Sequence, residues 1–392
     1  MQRKTFFMGI ATGIVASAVA LGTMNMASVV INAKDKTFTV TDKMNYIGSI
    51  LEQNYVEEVD EGEMVEGAFR GMAASIGDPY TTYFTAEEMA SFLEDIEGEF
   101  CGIGVTVIFD ETANCLRVVS VMDGNPAQKA GILAGDYIIS VDGEDMRGVD
   151  SDTVVSKMKG EAGTEVTVGV QRGEENLSFT MKRDTIEVQS VTGEMRQDGI
   201  AYLAISSFNS NTYQQFKKEY DALMAQNPKG LILDLRDNTG GVLEVANEIA
   251  DTLVGEGTIV YTIDKEGNRQ DYTSDANKIE IPLCVLVNGQ SASASEVLSG
   301  AVQGNDCGTL VGTQTFGKGL VQQTFGLPDG SALKVTVQKY YTPDDVCIQG
   351  VGLTPDVVVE LPGGLISPQL LAEGQTDTQL EKAAEVILEQ AK

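Results

Sequence analysis

The 392-residue chain contains no histidine and no tryptophan. Without an imidazole, every Ser-His-Asp triad and every histidine-ligated zinc hydrolase is excluded. A serine nucleophile here must hand its proton to something else, and a neutral lysine amine is the natural candidate. Positive charge is also scarce, since 27 basic against 58 acidic residues leave a net charge of −31. Such a field repels phosphate polymers and speaks against nucleic acid as a partner; its plain consequence is solubility. The five cysteines, Cys101, Cys115, Cys284, Cys307 and Cys347, stand far apart with no Cys-x-x-Cys. That spacing offers no zinc site, and an odd count precludes a fully paired disulfide framework. Cys101 and Cys115 could still face each other across a hairpin. Neither a metal nor a cofactor is expected.

Charge is missing locally too. After Arg3 and Lys4 no charged residue occurs before Lys34, and Phe6 to Val30 is mostly apolar. A spanning helix needs about 20 such residues, whereas a signal-peptide core has roughly 7–15. Residues 1–33 therefore read as a signal anchor, with the basic end inside and the bulk of the chain outside. The expectation is a single-pass cell-membrane protein with its main body extracytoplasmic. Ala16-Ser17-Ala18 and Ile31-Asn32-Ala33 resemble cleavage sites, so removal of the anchor stays open.

What is present divides by pattern. Residues 34–98 read as helices: Met44, Ile47, Ile50, Leu51 and Tyr55 recur at helical steps, and Thr85-Ala86-Glu87-Glu88 looks like a cap and first turn. From 99 to 183 short alternating runs such as Val105–Ile108, Leu116–Val119, Tyr137–Val141 and Val166–Val170 predict a small sheet with two short helices. From 184 to 361, strands at Ile200–Ile205, Gly230–Leu235 and Pro282–Val287 alternate with helices at Thr212–Gln226 and Val242–Leu253. That alternation predicts β-α-β units and a largely parallel sheet. Residues 362–392 end in an amphipathic run suited to docking or dimerisation.

Ser293 lies where an apolar strand turns into a helix, in Ser291-Ala292-Ser293-Ala294-Ser295-Glu296. Helix-start amides are unpaired and the dipole there is positive, so an oxyanion beside Ser293 would meet donors including the Ala294 amide. The competing reading is a capping box, Ser293 with Glu296. Lys318 follows in Gly312-Thr-Gln-Thr-Phe-Gly317-Lys318, seven positions of a Walker loop, but Gly319 stands where Ser or Thr should hold magnesium and Leu320–Phe325 reads as a strand. On such a strand Gln322 would share a face with Lys318 and could hold it, while burial lowers the pKa of the amine. A second oxyanion donor could come from Gly240 or Gly241, at the end of the strand carrying Leu233-Asp234-Leu235-Arg236. The alternative is an ordinary strand-to-helix connection, with Arg236 and Asp237 a structural ion pair.

Cys101-Gly102-Ile103-Gly104-Val105 opens a strand from a glycine loop able to offer amides to a peptide C-terminal carboxylate. With Asn125-Pro126-Ala127-x-x-Ala130-Gly131-Ile132 and Gly135-Asp136-Tyr137-Ile138-Ile139-x-Val141-Asp142-Gly143, this region resembles a PDZ domain. Together with Asp234-Leu235-Arg236-x-Asn238-x-Gly240-Gly241, Ser291–Glu296, Gly317-Lys318-Gly319-x-Val321-Gln322, and the flanking Gly77-Asp78-Pro79-Tyr80 and Asp377-x-Gln379-Leu380, the chain resembles the carboxyl-terminal processing, or tail-specific, serine proteases.

That resemblance implies an α/β fold: a crotonase-like β/α protease core with an inserted PDZ-like domain and helical segments at both ends. It implies a serine endopeptidase with Ser293 as nucleophile, Lys318 as general base and Gln322 orienting the lysine. Ala294 and Gly240 or Gly241 would supply the oxyanion amides. The PDZ-like domain would bind substrate C-termini through Gly102, Ile103, Gly104, Val105 and Lys159 and gate the site. Its partners would be peptides with accessible C-termini and a second copy, paired through the terminal helices. Two departures stand out: Thr239 replaces a common proline, and Lys159, before Gly160, replaces a frequent arginine, so any link from substrate binding to activation would run through a point charge. The competing class is a catalytically inactive PDZ adaptor on the same scaffold.

Overall fold

The computed structural model describes residues 39–362 and 376–392, in two compact units that meet in sequence at Ala68 and Phe69. In the first unit, Thr39 and Asp42 form a capping box that starts the helix Val40–Asn54. Its Met44, Ile47, Ile50 and Leu51 are all exposed.

The single-pass membrane placement expected from the sequence is corrected. Among the described residues no helix is long and apolar enough to cross a membrane, and the segment 1–33 on which the expectation rested lies outside the described residues. The helix Val40–Asn54 has 15 residues and carries Asp42, Lys43 and Glu52. Such a helix is about 22 Å long, against a hydrocarbon core of about 30 Å.

The second unit is built around a parallel sheet. Strands Ala201–Ile205, Leu231–Asp234, Leu283–Val287, Thr309–Gly312 and Val357–Val358 run parallel in that order, with Val191–Met195 antiparallel at one edge. The period-two alternation of strands sorts their side chains into two cores. Leu231, Leu233, Leu283, Val285 and Val287 face the helices Thr212–Met224, Leu243–Leu253 and Ala294–Gly304. Ile232, Cys284 and Leu286 instead meet Ala383, Ala384 and Ile387 of the tail helix Thr378–Gln390. The amphipathic tail thus spends its apolar face on its own sheet.

A second sheet packs the strand Ala332–Tyr341 between Leu320–Gly326 on one side and both Thr82–Phe84 and Gly257–Asp264 on the other. The region 34–98 is therefore not wholly helical, as the sequence had suggested. Thr82-Tyr83-Phe84 is three residues long, too short for alternation to be legible.

The PDZ-like sheet runs Val105–Asp110, Cys115–Val121, Tyr137–Val141, Glu165–Arg172 and Glu175–Lys182, so Val105–Asp110 is one of its two edges. The chain enters through Glu99–Gly102 and leaves through Asp184–Glu187, and these two strands pair antiparallel as a stem. This pairing is why Cys101 does not face Cys115. The Cys101 thiol lies beside Thr185, and all five cysteines are free.

Candidate active site

Three serines crowd the turn after Leu283–Val287, and the structure separates them. Ser291 and Ser295 are fully buried, and their hydroxyls donate to the carbonyls of Leu235 and Asn238, both at 2.8 Å. Ser293 is half-buried on a cleft of about 1020 Å³. Its φ of 55° and ψ of −115° put a non-glycine residue in a costly backbone region. Only half of the Ser293–Glu296 capping box forms: the Glu296 carboxylate accepts the Ser293 amide at 2.9 Å, while the Ser293 hydroxyl makes no cap hydrogen bond. The Glu296 amide donates to the Ser293 carbonyl at 2.8 Å.

Glu296 is the residue that sequence reasoning undervalued. It is wholly buried, and its carboxylate accepts the Ser293 amide at 2.9 Å, the Thr315 hydroxyl at 2.6 Å and the Gly317 and Lys318 amides, each at 2.8 Å. One carboxylate therefore ties the turn of Ser293 to the loop of Lys318. Four donors, three of them backbone amides, compensate the cost of burying the charge. Tyr340, also buried, makes a second tie: its hydroxyl reaches the carbonyl of Ser293 at 3.1 Å and that of Lys318. A long-range hydroxyl contact of this kind leaves no sequence signal. Glu296 was visible only as half of a capping box.

The backbone of Lys318 is thus fixed, and its side chain runs along the cleft to place Nζ 4.7 Å from the centre of the Tyr80 ring. Burial pushes its ammonium below the ordinary lysine value and Lys334 adds to that, against the opposing charges of Asp78 and Glu296. No hydrogen bond joins Lys318 to Ser293 or to Gln322. Gln322 Nε2 instead donates to Thr336 Oγ1 at 3.3 Å. A register shift between Val321 and Gln322 breaks the simple pleat from which a shared face was expected.

The two glycines differ. The Gly240 amide donates to Asn238 Oδ1 at 2.9 Å, whereas Gly241 is exposed and lines the cleft with Thr239, Ser293 and Ala294. A side chain on Gly240 would lie 2.8 Å from Ser293 Cβ and 3.0 Å from the Ala294 nitrogen, so this loop touches the serine turn directly. Asn238 fixes the contact: its carbonyl accepts the Ala292 amide at 3.1 Å, and its Nδ2 donates to Ile205 at 2.8 Å. Arg236 is not paired with Asp237. It forms ion pairs with Asp234 at 2.6 Å and with Asp377 of the tail at 2.9 Å.

In the PDZ-like sheet, the carbonyls of Ile103 and Gly104 accept the amides of Ala127 at 2.8 Å and Met122 at 3.0 Å. Gly102 and Gly104 are buried, and Val105 opens the edge strand. Lys159 Nζ pairs with Glu94 Oε2 at 2.5 Å and sits 5.4 Å from the Phe100 ring. Glu94 belongs to the helix Ala86–Glu97, whose Phe92 and Ile96 line the cleft.

The Peptidase family S41 model matches residues 199–359, the PDZ domain model residues 101–182, and the model of the activating protease CtpB N-terminal domain residues 11–88. Carboxy-terminal processing protease CtpA of Bacillus subtilis is 34% identical over 398 residues, spanning 98% of this chain and 84% of that relative. The chain belongs to the carboxy-terminal processing proteases of peptidase family S41. It is a serine-type peptidase carrying a PDZ domain. The carboxy-terminal-processing protease of Bartonella bacilliformis is 35% identical over 371 residues, spanning 92% of this chain and 84% of that protein. An S41 protease structure from Bacteroides fragilis shares the fold at 17% identity and a TM-score of 0.53, covering 87% of this chain and 96% of that chain.

Proposed function

We propose that this processing protease works by a Ser293–Lys318 dyad. The observation that carries the reading is that Ser293, alone among the three serines of its turn, has an uncommitted hydroxyl facing the cleft, with half-buried Lys318 on the same cleft. Neutral Lys318 Nζ takes the Ser293 proton as Oγ attacks the scissile carbonyl. The oxyanion accepts hydrogen bonds from Ala294 and Gly241, the glycine whose amide is not already given to Asn238. The lysine then protonates the leaving amine; in deacylation the neutral lysine takes a proton from the attacking water and passes it to Ser293 Oγ as the acid product leaves. Catalytic hydrogen bonds often close only around substrate, so an unliganded lysine on Tyr80 is compatible with this role. Gln322 would receive the lysine when it swings away from that ring.

The edge strand Val105–Asp110 and the Gly102–Gly104 loop support substrate capture by strand addition, with the C-terminal carboxylate at the loop. The Lys159–Glu94 pair supports a link between that domain and the helix lining the cleft. We assign the segments as 34–98 N-terminal preface, 99–183 PDZ, 184–361 protease core and 362–392 tail. The exposed apolar residues of Val40–Asn54 support pairing with a second copy; a monomer in sedimentation at micromolar concentration would remove that element.

The decisive test is labelling by a fluorophosphonate, read beside cleavage of a peptide with a free C-terminus. Wild-type protein should label at Ser293, Ser293→Ala should not, and Lys318→Ala should lose both labelling and cleavage while keeping its fold. Labelling and cleavage at wild-type rates in Lys318→Ala would refute the dyad.

A further inference from the structure

The Gly77–Tyr80 turn is built with more care than a connection between two helical stretches requires. Asp78 accepts the Tyr80 amide at 3.1 Å and the Thr81 hydroxyl at 2.7 Å. Thr81 in turn accepts the Thr336 amide at 3.2 Å, and Thr82–Phe84 then pairs with Ala332–Lys334. The turn is thereby riveted to the strand that also carries Tyr340 and Lys334. Its one free product is the half-buried Tyr80 ring, which meets the Lys318 ammonium face-on at 4.7 Å.

We infer that Tyr80 and Asp78 are positioning residues that hold the Lys318 ammonium off Ser293 in the unliganded enzyme, so that the base is released only when substrate fills the cleft. This rests on the assignment of Lys318 as the base. A ring face attracts the charged amine and has little attraction for the neutral one, so the contact selects the protonation state that cannot accept the serine proton. The Asp78 carboxylate acts in the same sense. The lysine backbone is locked by Glu296 and Tyr340, which leaves the side chain as the moving part. Gln322, whose amide is engaged with Thr336, makes no hydrogen bond to Lys318 in this arrangement.

Two other charges act on Lys318, those of Lys334 and Glu296. Lys334, on Ala332–Tyr341, opposes the ammonium but has its own Nζ over Phe84 and Phe92, at 5.1 and 4.8 Å. Glu296, at the start of Ala294–Gly304, favours it. Neither depends on Tyr80, so replacing the ring tests the ring alone.

The experiment measures the rate of fluorophosphonate labelling of Ser293 against pH in the full chain without substrate. In Tyr80→Leu, which keeps an apolar wall but no ring, the midpoint of the rise should move to lower pH by about 0.5 to 1 unit, with labelling at pH 7 faster by about three- to ten-fold. Asp78→Asn should move it in the same direction, and Tyr80→Phe, which keeps the ring, should retain the wild-type midpoint. A wild-type midpoint in both Tyr80→Leu and Asp78→Asn, or a shift in Tyr80→Phe equal to that in Tyr80→Leu, overturns the inference. A fall in rate with no change of midpoint also overturns it, since a merely structural role would give that. Lys318→Ala is run alongside: if it labels as wild type, the dyad itself fails, which is distinct from failure of the holding contact.

Discussion

Ser293 carries the strain of its turn in its own backbone. Its φ of 55° and ψ of −115° mirror ordinary extended geometry, which glycine adopts freely and serine does not. Since the hydroxyl makes no cap bond, Ser293→Ala should leave stability within about 0.5 kcal/mol of wild type, below the usual cost of a lost cap. Ser293→Gly should raise it by about 1 kcal/mol, as strain relief outweighs the added freedom of the unfolded chain. Both abolish cleavage. Urea denaturation of the two variants checks the order, and a destabilised Ser293→Gly protein would contradict it.

At the level of elements, the strand ending at Asp234 and the tail helix are locked by one guanidinium. Arg236 joins buried Asp234 to buried Asp377, and Asp377 also caps the tail helix by accepting the Leu380 amide at 3.0 Å. Arg236→Met removes the cation between two buried carboxylates and should cost about 3–5 kcal/mol in chemical denaturation. It should also loosen the Asn238–Gly241 loop, lowering kcat more than it raises KM. Much of the framework around this lock was legible in the sequence. The strands Gly230–Leu235 and Pro282–Val287 announced themselves as continuous apolar runs, and the tail helix by its stripe. What could not be read were contacts made across sequence: Arg236 to Asp377, Tyr340 to Ser293 and Lys318, and Thr82–Phe84 to Ala332–Lys334. These depend on tertiary geometry, and so did the choice among Ser291, Ser293 and Ser295, which differ in partner rather than in residue type. Gln322 lines the cleft with Lys318, but its hydrogen bond to Thr336 is another contact that the sequence pattern does not mark.

For the whole molecule, the absence of histidine makes the pH response unusually simple. No ordinary side chain changes charge between about pH 5 and 8, so an activity step within that window points to a lysine whose ammonium is destabilised by burial, as Lys318 is. Lys318 must be neutral to act, hence kcat/KM should rise with pH through an apparent pKa below the ordinary lysine value. The same depression has a consequence for stability. Between the folded value and the unfolded value of 10.5 the unfolded chain binds the extra proton, so this group's contribution to stability increases with pH. Lys318→Met should therefore be more stable than wild type at neutral pH, with the difference shrinking toward pH 10.5. A constant difference from pH 6 to 10 would refute the shift.

The stem by which the PDZ domain joins the core makes that domain a cassette. Gly102 and Asp184 stand opposite each other in one antiparallel pair, so the two ends of an insertion of some eighty residues are no farther apart than the ends of a hairpin. A tight Asn-Gly turn could replace everything between them without moving either strand. The excised enzyme should fold, keep its fluorophosphonate reactivity, and lose only its preference for free C-termini, and a foreign recognition domain with closely spaced termini could be spliced onto the same two strands to redirect the protease.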